Sequence, residues 1–494
     1  MVGRGGRSKA CFTCRQRRLK CDETKPKCVR CQKSQLECAG YPNNLEFIND
    51  NPAYRLRKRA HPRKKASSHM PGPKPSLSIL GDDLYFTYMN QELQDGNAFV
   101  DERWPGLYAL CMPDCLPRRC MMSFAASFFG RRVNVEQAQR EGMNLYVQSL
   151  RELNERLSRP GHSSPGHTVL SITILTICEY LTATSGTAWI QHLLGLTEFF
   201  RLHGFKIFKE PYVMWAFQTD RFCMIIAAIA ARCPTCLASE EWKNVPWSVS
   251  QSPKAPVEYL IDLASELPDL YLNFIHYLKT TDLSAKAKLN LALETDFAAL
   301  LQRLRDWNIK WQRELRPQAE EVPLSRLEQQ RFGFTSKLVF DNIPTQGYTF
   351  ILYNTTVIIL LELWKTLRKA QIRPSTSPKS ISEGEIRRLP DLSTNEITRH
   401  LNGGPAGVSN SSLVYQAREA ALDICRTMPL YLTPSETRAH AIQLVIPIRM
   451  ALIVFRQNGG CPQVAWLEDC VQQIGRSQRG WEIGRYAMQE YGYS

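Results

Sequence analysis

The sequence predicts a small cysteine-rich domain with two short helices, then a disordered basic linker, and then a large all-α domain that makes up most of the 494 residues. Three observations support this division. Six cysteines recur at regular spacing before residue 40, and the first 75 residues hold 19 Lys and Arg against 5 Asp and Glu. The rest of the chain is almost neutral and places apolar residues at helical spacing.

The cysteine-rich stretch is an internal repeat. The pattern Cys-x2-Cys-x6-Cys occurs twice, seventeen residues apart, and Leu19 and Leu36 coincide under the same shift. A Cys-x2-Cys pair offers two thiolates at the spacing that a tetrahedral zinc ion accepts. Two zinc ions need eight ligand positions, so six cysteines suffice only if two of them bridge, and the repeat symmetry favours Cys11 and Cys28 as that pair. The candidate ligands are Cys11, Cys14, Cys21, Cys28, Cys31 and Cys38.

Two other arrangements of the six cysteines have to be weighed. One zinc ion held by four cysteines would leave two cysteines unused. The repeat of the Cys-x2-Cys-x6-Cys spacing would then have no explanation. Disulfides in a secreted domain would also use an even number of cysteines. The first nine residues lack the apolar core of a signal peptide, so we expect a reducing compartment, in which thiols stay available to metal.

With these residues, the N-terminal stretch resembles the fungal binuclear zinc cluster (Zn2Cys6) transcription factors. The resemblance covers the six cysteines, the basic run Arg15–Lys20, and the Lys25-Pro26 pair between the two halves. It implies two zinc ions in one cluster, with Cys11 and Cys28 shared, and a short helix that enters the DNA major groove over a CGG-type triplet. The family usually has lysine where this chain has Arg18, the residue expected to reach base edges.

The charges of the two halves indicate double-stranded DNA as the partner. Metal ligation asks the same of both halves, yet Arg15–Lys20 carries four cations, whereas the equivalent residues 32–37 carry one cation and one anion. Arginine can bind guanine O6 and N7 together, and the other cations would set the register on the phosphates. The alternative is that these charges only solvate a small metal domain. The candidate DNA contacts are Arg15, Arg17, Arg18, Lys20, Lys25 and Lys27.

Basic segments flank the cysteine domain, which we place at residues 9–40. Residues 1–8 form a Gly/Arg arm that is expected to be flexible, and the prolines of the linker, residues 41–78, exclude a long helix. Two basic blocks in the linker predict a nuclear import signal, with phosphate contacts or a solvated linker as alternatives. No heptad pattern follows the cysteines, so a homodimer would depend on the large domain or on DNA. The import residues are Arg55, Arg57, Lys58, Arg59, Arg63, Lys64 and Lys65.

Residues 79–494 are predicted to form an all-α domain, with Asp82 or Asp83 capping its first helix. Turns rich in Pro, Gly and Ser separate the helix candidates, and no alternating strands occur between them. Residues 373–412, with Pro, Ser, Gly and mixed charge, are predicted to be a mobile insertion. The candidate helices span residues 84–93, 135–157, 169–181, 189–202, 212–231, 257–278, 284–315, 346–370, 413–428, 436–456 and 463–489.

Part of this domain also resembles the fungal-specific regulatory domain that often follows such clusters. The matching residues are His192-Leu-Leu-Gly195, Arg201-Leu-His-Gly204, Glu241-Trp242 and Pro246-Trp247. The resemblance implies that the domain regulates transcription, through transcriptional co-regulators or an effector ligand. Composition alone indicates only a helical core.

Further cysteines and histidines in the large domain are interpreted as packing residues. Cys233-Pro-Thr-Cys236 has the spacing of a redox or zinc pair, but it falls where a helix should end, and a reactive thiol needs a helix N-terminus. His192 and His203 share a helical face without an acidic neighbour. Three other thiols have no fourth metal ligand nearby, namely Cys111, Cys115 and Cys120.

Neither enzyme nor membrane chemistry is indicated by the sequence. Zinc-protease, P-loop, nucleophile-elbow and dinucleotide-binding motifs are all missing. The longest apolar run, residues 355–364, contains a glutamate and is too short to span a membrane. The sequence therefore predicts a nuclear, sequence-specific regulator of RNA polymerase II transcription. The second hypothesis is a nuclear scaffold in which the zinc cluster is only a structural brace.

Overall fold

In the computed structural model the chain divides into two compact units, Met1–Pro75 and Ser76–Ser494. The predicted arm, the linker up to residue 77 and the predicted insertion up to residue 409 lie outside the described residues. The structure describes residues 10–17, 19–24, 27–34, 36, 38, 78–94, 115–158, 164–210, 212–315, 320–340, 343–372, 410–431, 444–457 and 461–475.

The N-terminal unit contains the two predicted short helices, α1 (Phe12–Gln16) and α2 (Val29–Lys33). Each begins one residue after the first cysteine of a Cys-x2-Cys pair, Cys11 or Cys28. A helix of five residues is not stable by itself, because closing its first turn costs more free energy than its few hydrogen bonds return. The stability of these helices therefore depends on what their cysteines bind.

The backbone of the two halves follows the repeat of the sequence. The Leu19 N–H donates to the Cys14 carbonyl, and the Leu36 N–H donates to the Cys31 carbonyl, both at 3.0 Å. These two hydrogen bonds are related by the same shift of seventeen residues that relates the cysteines. The repeat is thus present in the backbone structure as well as in the amino-acid sequence.

The second unit is a helical body, as predicted, with fifteen α-helices in its described residues. A small antiparallel ribbon, which the sequence did not predict, pairs β1 (Glu320–Pro323) with β2 (Ser336–Val339). The helices are α3 (Ser78–Gln94), α4 (Leu116–Arg132), α5 (Glu136–Leu157), α6 (Pro165–Thr182), α7 (Ala188–His203), α8 (Val213–Ala231), α9 (Glu240–Ser250), α10 (Pro256–Ala264), α11 (Leu267–Lys279), α12 (Leu283–Leu315), α13 (Arg326–Phe332), α14 (Tyr348–Ile372), α15 (Asn410–Thr427), α16 (Val445–Arg456) and α17 (Pro462–Gly475).

Several boundaries differ from the predicted ones. Asp82 and Asp83 lie inside α3, so the prediction that they cap this helix was wrong. The predicted helix 257–278 is two helices, α10 and α11, which are separated by Ser265 and Glu266. Residues 410–412, assigned to the insertion, belong to α15.

Three helices of the described body were not predicted, namely α4, α9 and α13, and the first two of them contain proline. Pro117 lies in the first turn of α4, where a missing backbone N–H costs no helical hydrogen bond. Pro246 lies inside α9, whose tryptophans Trp242 and Trp247 are both buried. Burial of these large side chains offsets the poor helix propensity of the proline.

Helices α4 and α5 approach each other closely at Gly142. The Ser123 hydroxyl donates to the Gly142 carbonyl at 2.8 Å. A methyl group on Gly142 would lie 2.2 Å from the Ser127 Oγ and 2.7 Å from the Ser127 backbone nitrogen. Only glycine therefore fits at this crossing.

We expect Gly142→Ala to destabilise the helical body by about 1–3 kcal/mol, because the added methyl group forces the packed helices apart. Gly195→Ala is the matched control: Gly195 lies in α7, and an added Cβ would meet nothing within 4 Å. This second change should stabilise the protein by about 0.5–1 kcal/mol, since alanine favours a helix more than glycine does. Urea unfolding followed by far-UV circular dichroism measures both changes. A loss of the same size in both variants would contradict the tight crossing.

The centre of the body is formed by α14, which packs against α12, α15 and α16. Two helical stretches, Val213–Ala231 and Thr345–Gln371, are long and apolar enough to cross a membrane by length and composition alone. Their most apolar windows are 67% and 89% buried inside the fold, as in a core helix. The apolar run 355–364 lies inside the second stretch, in the helix α14 that the sequence analysis predicted over residues 346–370. Its length and composition are by themselves weak grounds for a membrane span.

Candidate metal centre

The six cysteines of the N-terminal unit converge in one cluster. Their sulfur atoms form two sets of four, and within each set all sulfurs lie within 4.8 Å of one another. Cys11 and Cys28 belong to both sets, which is the pair favoured by the repeat symmetry. The first set is Cys11, Cys14, Cys21 and Cys28, and the second is Cys11, Cys28, Cys31 and Cys38.

The sulfur–sulfur distances fit zinc. Around a tetrahedral zinc ion with Zn–S bonds of about 2.3 Å, the sulfurs lie about 3.8 Å apart. The Cys11 Sγ lies 3.6 Å from the Cys28 Sγ and 3.9 Å from the Cys31 Sγ. The Cys14 Sγ lies 3.7 Å from the Cys28 Sγ. These separations are far beyond a disulfide bond of about 2.05 Å, so the donor set suits two metal ions.

The two shared sulfurs occupy equivalent positions in the two halves. The Cys14 N–H donates to the Cys11 Sγ at 3.3 Å, and the Cys31 N–H donates to the Cys28 Sγ at 3.4 Å. Hydrogen bonds of this kind orient a metal ligand and stabilise its negative charge. Each Cys-x2-Cys turn thus orients its own shared sulfur by a backbone hydrogen bond.

Metal-free, three of the clustered thiols, Cys11, Cys14 and Cys31, hold their protons at neutral pH. Burial raises the pKa of the Cys11 and Cys14 thiols to about 12. The hydrogen bond with the Cys28 thiol, together with burial, raises the pKa of Cys31 to about 12. Zinc must displace these protons when it binds, so its affinity for the cluster falls as the pH falls.

Asp22 and Arg30 connect the two halves by reciprocal hydrogen bonds, which the sequence did not predict. The Asp22 carboxylate accepts from the Val29 N–H at 3.1 Å and from the Arg30 N–H at 2.7 Å. The Arg30 guanidinium in turn donates from Nη1 to the Lys20 carbonyl at 2.6 Å. Hydrogen bonds from the Thr24 hydroxyl and from these backbone N–H groups hold the pKa of Asp22 well below its usual range. We call this pair of side chains the Asp22–Arg30 clasp.

The predicted DNA contacts lie partly within the described structure. Arg17, Lys20 and Lys27 have exposed side chains on the N-terminal unit, and Arg15 is a residue of α1. The side chains of Arg17, Lys20 and Lys27 are therefore accessible to a partner. Outside the described part lie Arg18, Lys25, the side chain of Arg15, and the import residues Arg55, Arg57, Lys58, Arg59, Arg63, Lys64 and Lys65.

Two family models match the chain. The fungal Zn(2)-Cys(6) binuclear cluster domain matches residues 9–46, and the fungal specific transcription factor domain matches residues 118–382, more than half of the chain. The chain belongs to the fungal Zn2Cys6 transcription regulators. In this Zn2Cys6 regulator the cysteine cluster is positioned for a binuclear zinc centre in which Cys11 and Cys28 are shared. The family consists of DNA-binding regulators of transcription and not of enzymes.

Short stretches of the Zn2Cys6 regulator are also similar to curated proteins. Transcriptional regulatory protein moc3 of Schizosaccharomyces pombe is 65% identical over 34 residues, 7% of each chain. White-opaque regulator 2 of Candida albicans is 58% identical over 31 residues, 6% of this chain and 7% of that protein. Arginine metabolism regulation protein II of Saccharomyces cerevisiae is 46% identical over 46 residues, 9% of this chain and 5% of that protein. The chain thus covers less than a tenth of the length of these relatives, and no solved structure matches it.

The remaining cysteine candidates of the regulator lie in its helical body. Cys233 follows the end of α8, and Cys236 begins a short 3-10 turn. Burial raises the pKa of the Cys233 thiol, and it raises that of Cys236 to about 11, the opposite of a reactive thiolate. Cys120 is fully buried in α4, while Cys111 lies outside the described residues.

The two candidate histidines take part in packing and capping. The His192 Nε2 lies 3.1 Å from the Tyr146 hydroxyl, which also hydrogen-bonds the buried Glu179. A carboxylate is therefore close to His192, contrary to the sequence analysis, and burial lowers the pKa of this imidazole to about 4. The His203 Nδ1 lies 3.0 Å from the Phe199 carbonyl at the end of α7. His192 thus connects α7 with α5, whereas His203 makes its contact within α7 itself.

Proposed function

We propose that this regulator is nuclear and controls RNA polymerase II transcription by reading a CGG-type triplet with α1 and the basic residues that follow it. The observation that carries the proposal is the charge difference between two halves with equivalent backbones. Arg17 and Lys20 correspond under the repeat to Ser34 and Glu37. Since the metal ions need the same ligands from both halves, the cations of the first half serve another partner, and phosphates attract them.

In this proposal the basic residues have different roles. Arg18 binds guanine through two parallel hydrogen bonds to O6 and N7, a contact that discriminates between bases by about 1–3 kcal/mol. The other cations contact phosphates and set the register of the cluster on the duplex. The zinc ligands are the six clustered cysteines. The phosphate contacts are Arg15, Arg17, Lys20, Lys25 and Lys27.

The proposal also divides the chain by role. Residues 1–8 are an arm, residues 9–40 bind DNA, and residues 41–78 carry the nuclear import signal. Residues 79–494 are the regulatory body, on which transcriptional co-regulators or an effector ligand act. The match of residues 118–382 to the fungal specific transcription factor domain supports this role for the body.

Selection of DNA from a random pool by the full-length, zinc-loaded protein tests the proposal. We expect enrichment of a CGG-containing site. Arg18→Ala should flatten the base preference, whereas Lys20→Ala should weaken binding to all sequences and reduce the salt dependence of the binding constant. Equal losses on every sequence for Arg18→Ala would contradict its base-reading role. A pool without any enriched sequence would favour the second candidate function, a nuclear scaffold braced by the cluster.

A further inference from the structure

The Asp22–Arg30 clasp anchors the end of the basic run. The run ends at Lys20, directly before the zinc ligand Cys21. At the helix side the Leu19 N–H is held by the Cys14 carbonyl at 3.0 Å, and at the far side the Arg30 guanidinium holds the Lys20 carbonyl at 2.6 Å. The backbone of Leu19 and Lys20, at the end of the basic run, is therefore held from both sides.

The clasp has no counterpart under the repeat. A shift of seventeen residues places Thr13 at the position of Arg30 and Ala39 at the position of Asp22. Threonine has neither the length nor the charge of arginine, and alanine has no carboxylate. Because zinc ligation requires the same geometry of both halves, a contact that anchors only the basic run of the first half has a purpose other than metal binding.

We propose that Asp22 and Arg30 are positioning residues for base recognition. Hydrogen bonds to base edges require a backbone held in one place, whereas attraction to phosphates tolerates displacement. Asp22 fixes the first turn of α2, and this turn presents Arg30 to the Lys20 carbonyl. The inference rests on the proposed DNA-binding function and adds two residues that contact neither bases nor zinc in this role.

A rival explanation is that Arg30 contacts a phosphate directly. Lys33 distinguishes the two, since it is a second exposed cation of α2, three residues further on. The binding constants of full-length, zinc-loaded Arg30→Ala and Lys33→Ala are measured on the selected site and on a scrambled duplex at one salt concentration. We expect both variants to weaken non-specific binding alike. Arg30→Ala alone should lower the ratio of specific to non-specific affinity, by roughly fivefold or more. Equal ratios in both variants would overturn the proposal.

Asp22 provides a second test, because loss of its negative charge and loss of its positioning role predict different changes in DNA affinity. Removing an acidic residue near DNA strengthens binding to every sequence by reducing repulsion. Glu23→Gln, at the neighbouring exposed acid, should do only this. Asp22→Ala should in addition lower the ratio of specific to non-specific affinity. An unchanged ratio in Asp22→Ala would overturn the proposal.

Zinc content separates positioning from folding. We expect two zinc ions per chain in all four variants. If Arg30→Ala and Asp22→Ala both lose zinc and also show a lower ratio of specific to non-specific DNA affinity, the clasp is a folding element of the cluster and the proposal is overturned. A wild-type protein that prefers no sequence would instead contradict the proposed function itself.

Discussion

Cys28→Ser is expected to remove both zinc ions from the cluster and to abolish DNA binding. The Cys28 sulfur belongs to both sets of four thiols, so its loss leaves each set with three. In metal domains of this size, zinc binding and folding are one event, and the two five-residue helices are not stable by themselves. Zinc per chain, measured on the full-length protein, should fall from two to below one.

Cys38→Ser and Cys233→Ser are the controls for this result. Cys38 belongs to one set only, so its loss leaves the set of Cys11, Cys14, Cys21 and Cys28 complete. We expect about one zinc ion per chain in Cys38→Ser. Cys233 lies in the helical body, and Cys233→Ser should keep both ions. The same residual zinc in Cys28→Ser and Cys38→Ser would contradict the shared-sulfur arrangement.

Arg221→Ala is expected to have the largest effect on the helical body. Arg221 is fully buried in α8, and its guanidinium pairs with Glu258 at 3.2 Å and with Asp262. The guanidinium also lies over the Trp247 ring, 4.8 Å from its centroid. Removing Arg221 leaves Glu258 without its cation, while Asp262 keeps its ion pair with Lys254, and breaking a buried ion pair typically costs about 3–5 kcal/mol. Burial already raises the pKa of Glu258 to about 7, so this carboxyl is poorly suited to remain ionised alone.

The midpoint of urea unfolding, followed by far-UV circular dichroism, measures this loss. Arg201→Ala is the matched control, because Arg201 forms an exposed ion pair with Glu198 on α7. Solvent screens such a pair, and we expect the midpoint to change little. A similar midpoint in the two variants would contradict a structural role for the buried network.

The metal centre could be predicted from the sequence because its information is local. Two Cys-x2-Cys-x6-Cys units determine which sulfurs can meet, and tetrahedral coordination then requires two shared ligands. The clasp could not be predicted in the same way. Asp22 precedes α2 by seven residues and Arg30 reaches back ten residues to Lys20, so their contacts depend on the fold that the metal ions impose.

In the helical body, apolar periodicity predicted most of the helices. The prolines of α4 and α9 concealed these two helices, which burial of their large side chains stabilises. The apolar pattern of residues 257–278 continues through Ser265 and Glu266, so it could not show that α10 ends and α11 begins there. The strand Glu320–Pro323 is polar and mostly exposed, and it lacks the alternation that marks a half-buried strand. Pairing with β2, and not its own composition, makes it a strand.

The sharing of the Cys11 and Cys28 sulfurs between the two sets of thiols affects how the regulator responds to low zinc concentration. Cys11 and Cys28 would hold both ions, so binding of one ion would bring together half of the ligands of the other. Zinc uptake would then be cooperative, and depletion would remove both ions over a narrow range of free zinc concentration. Such a protein would lose its DNA binding abruptly at a threshold concentration of free zinc, and not gradually.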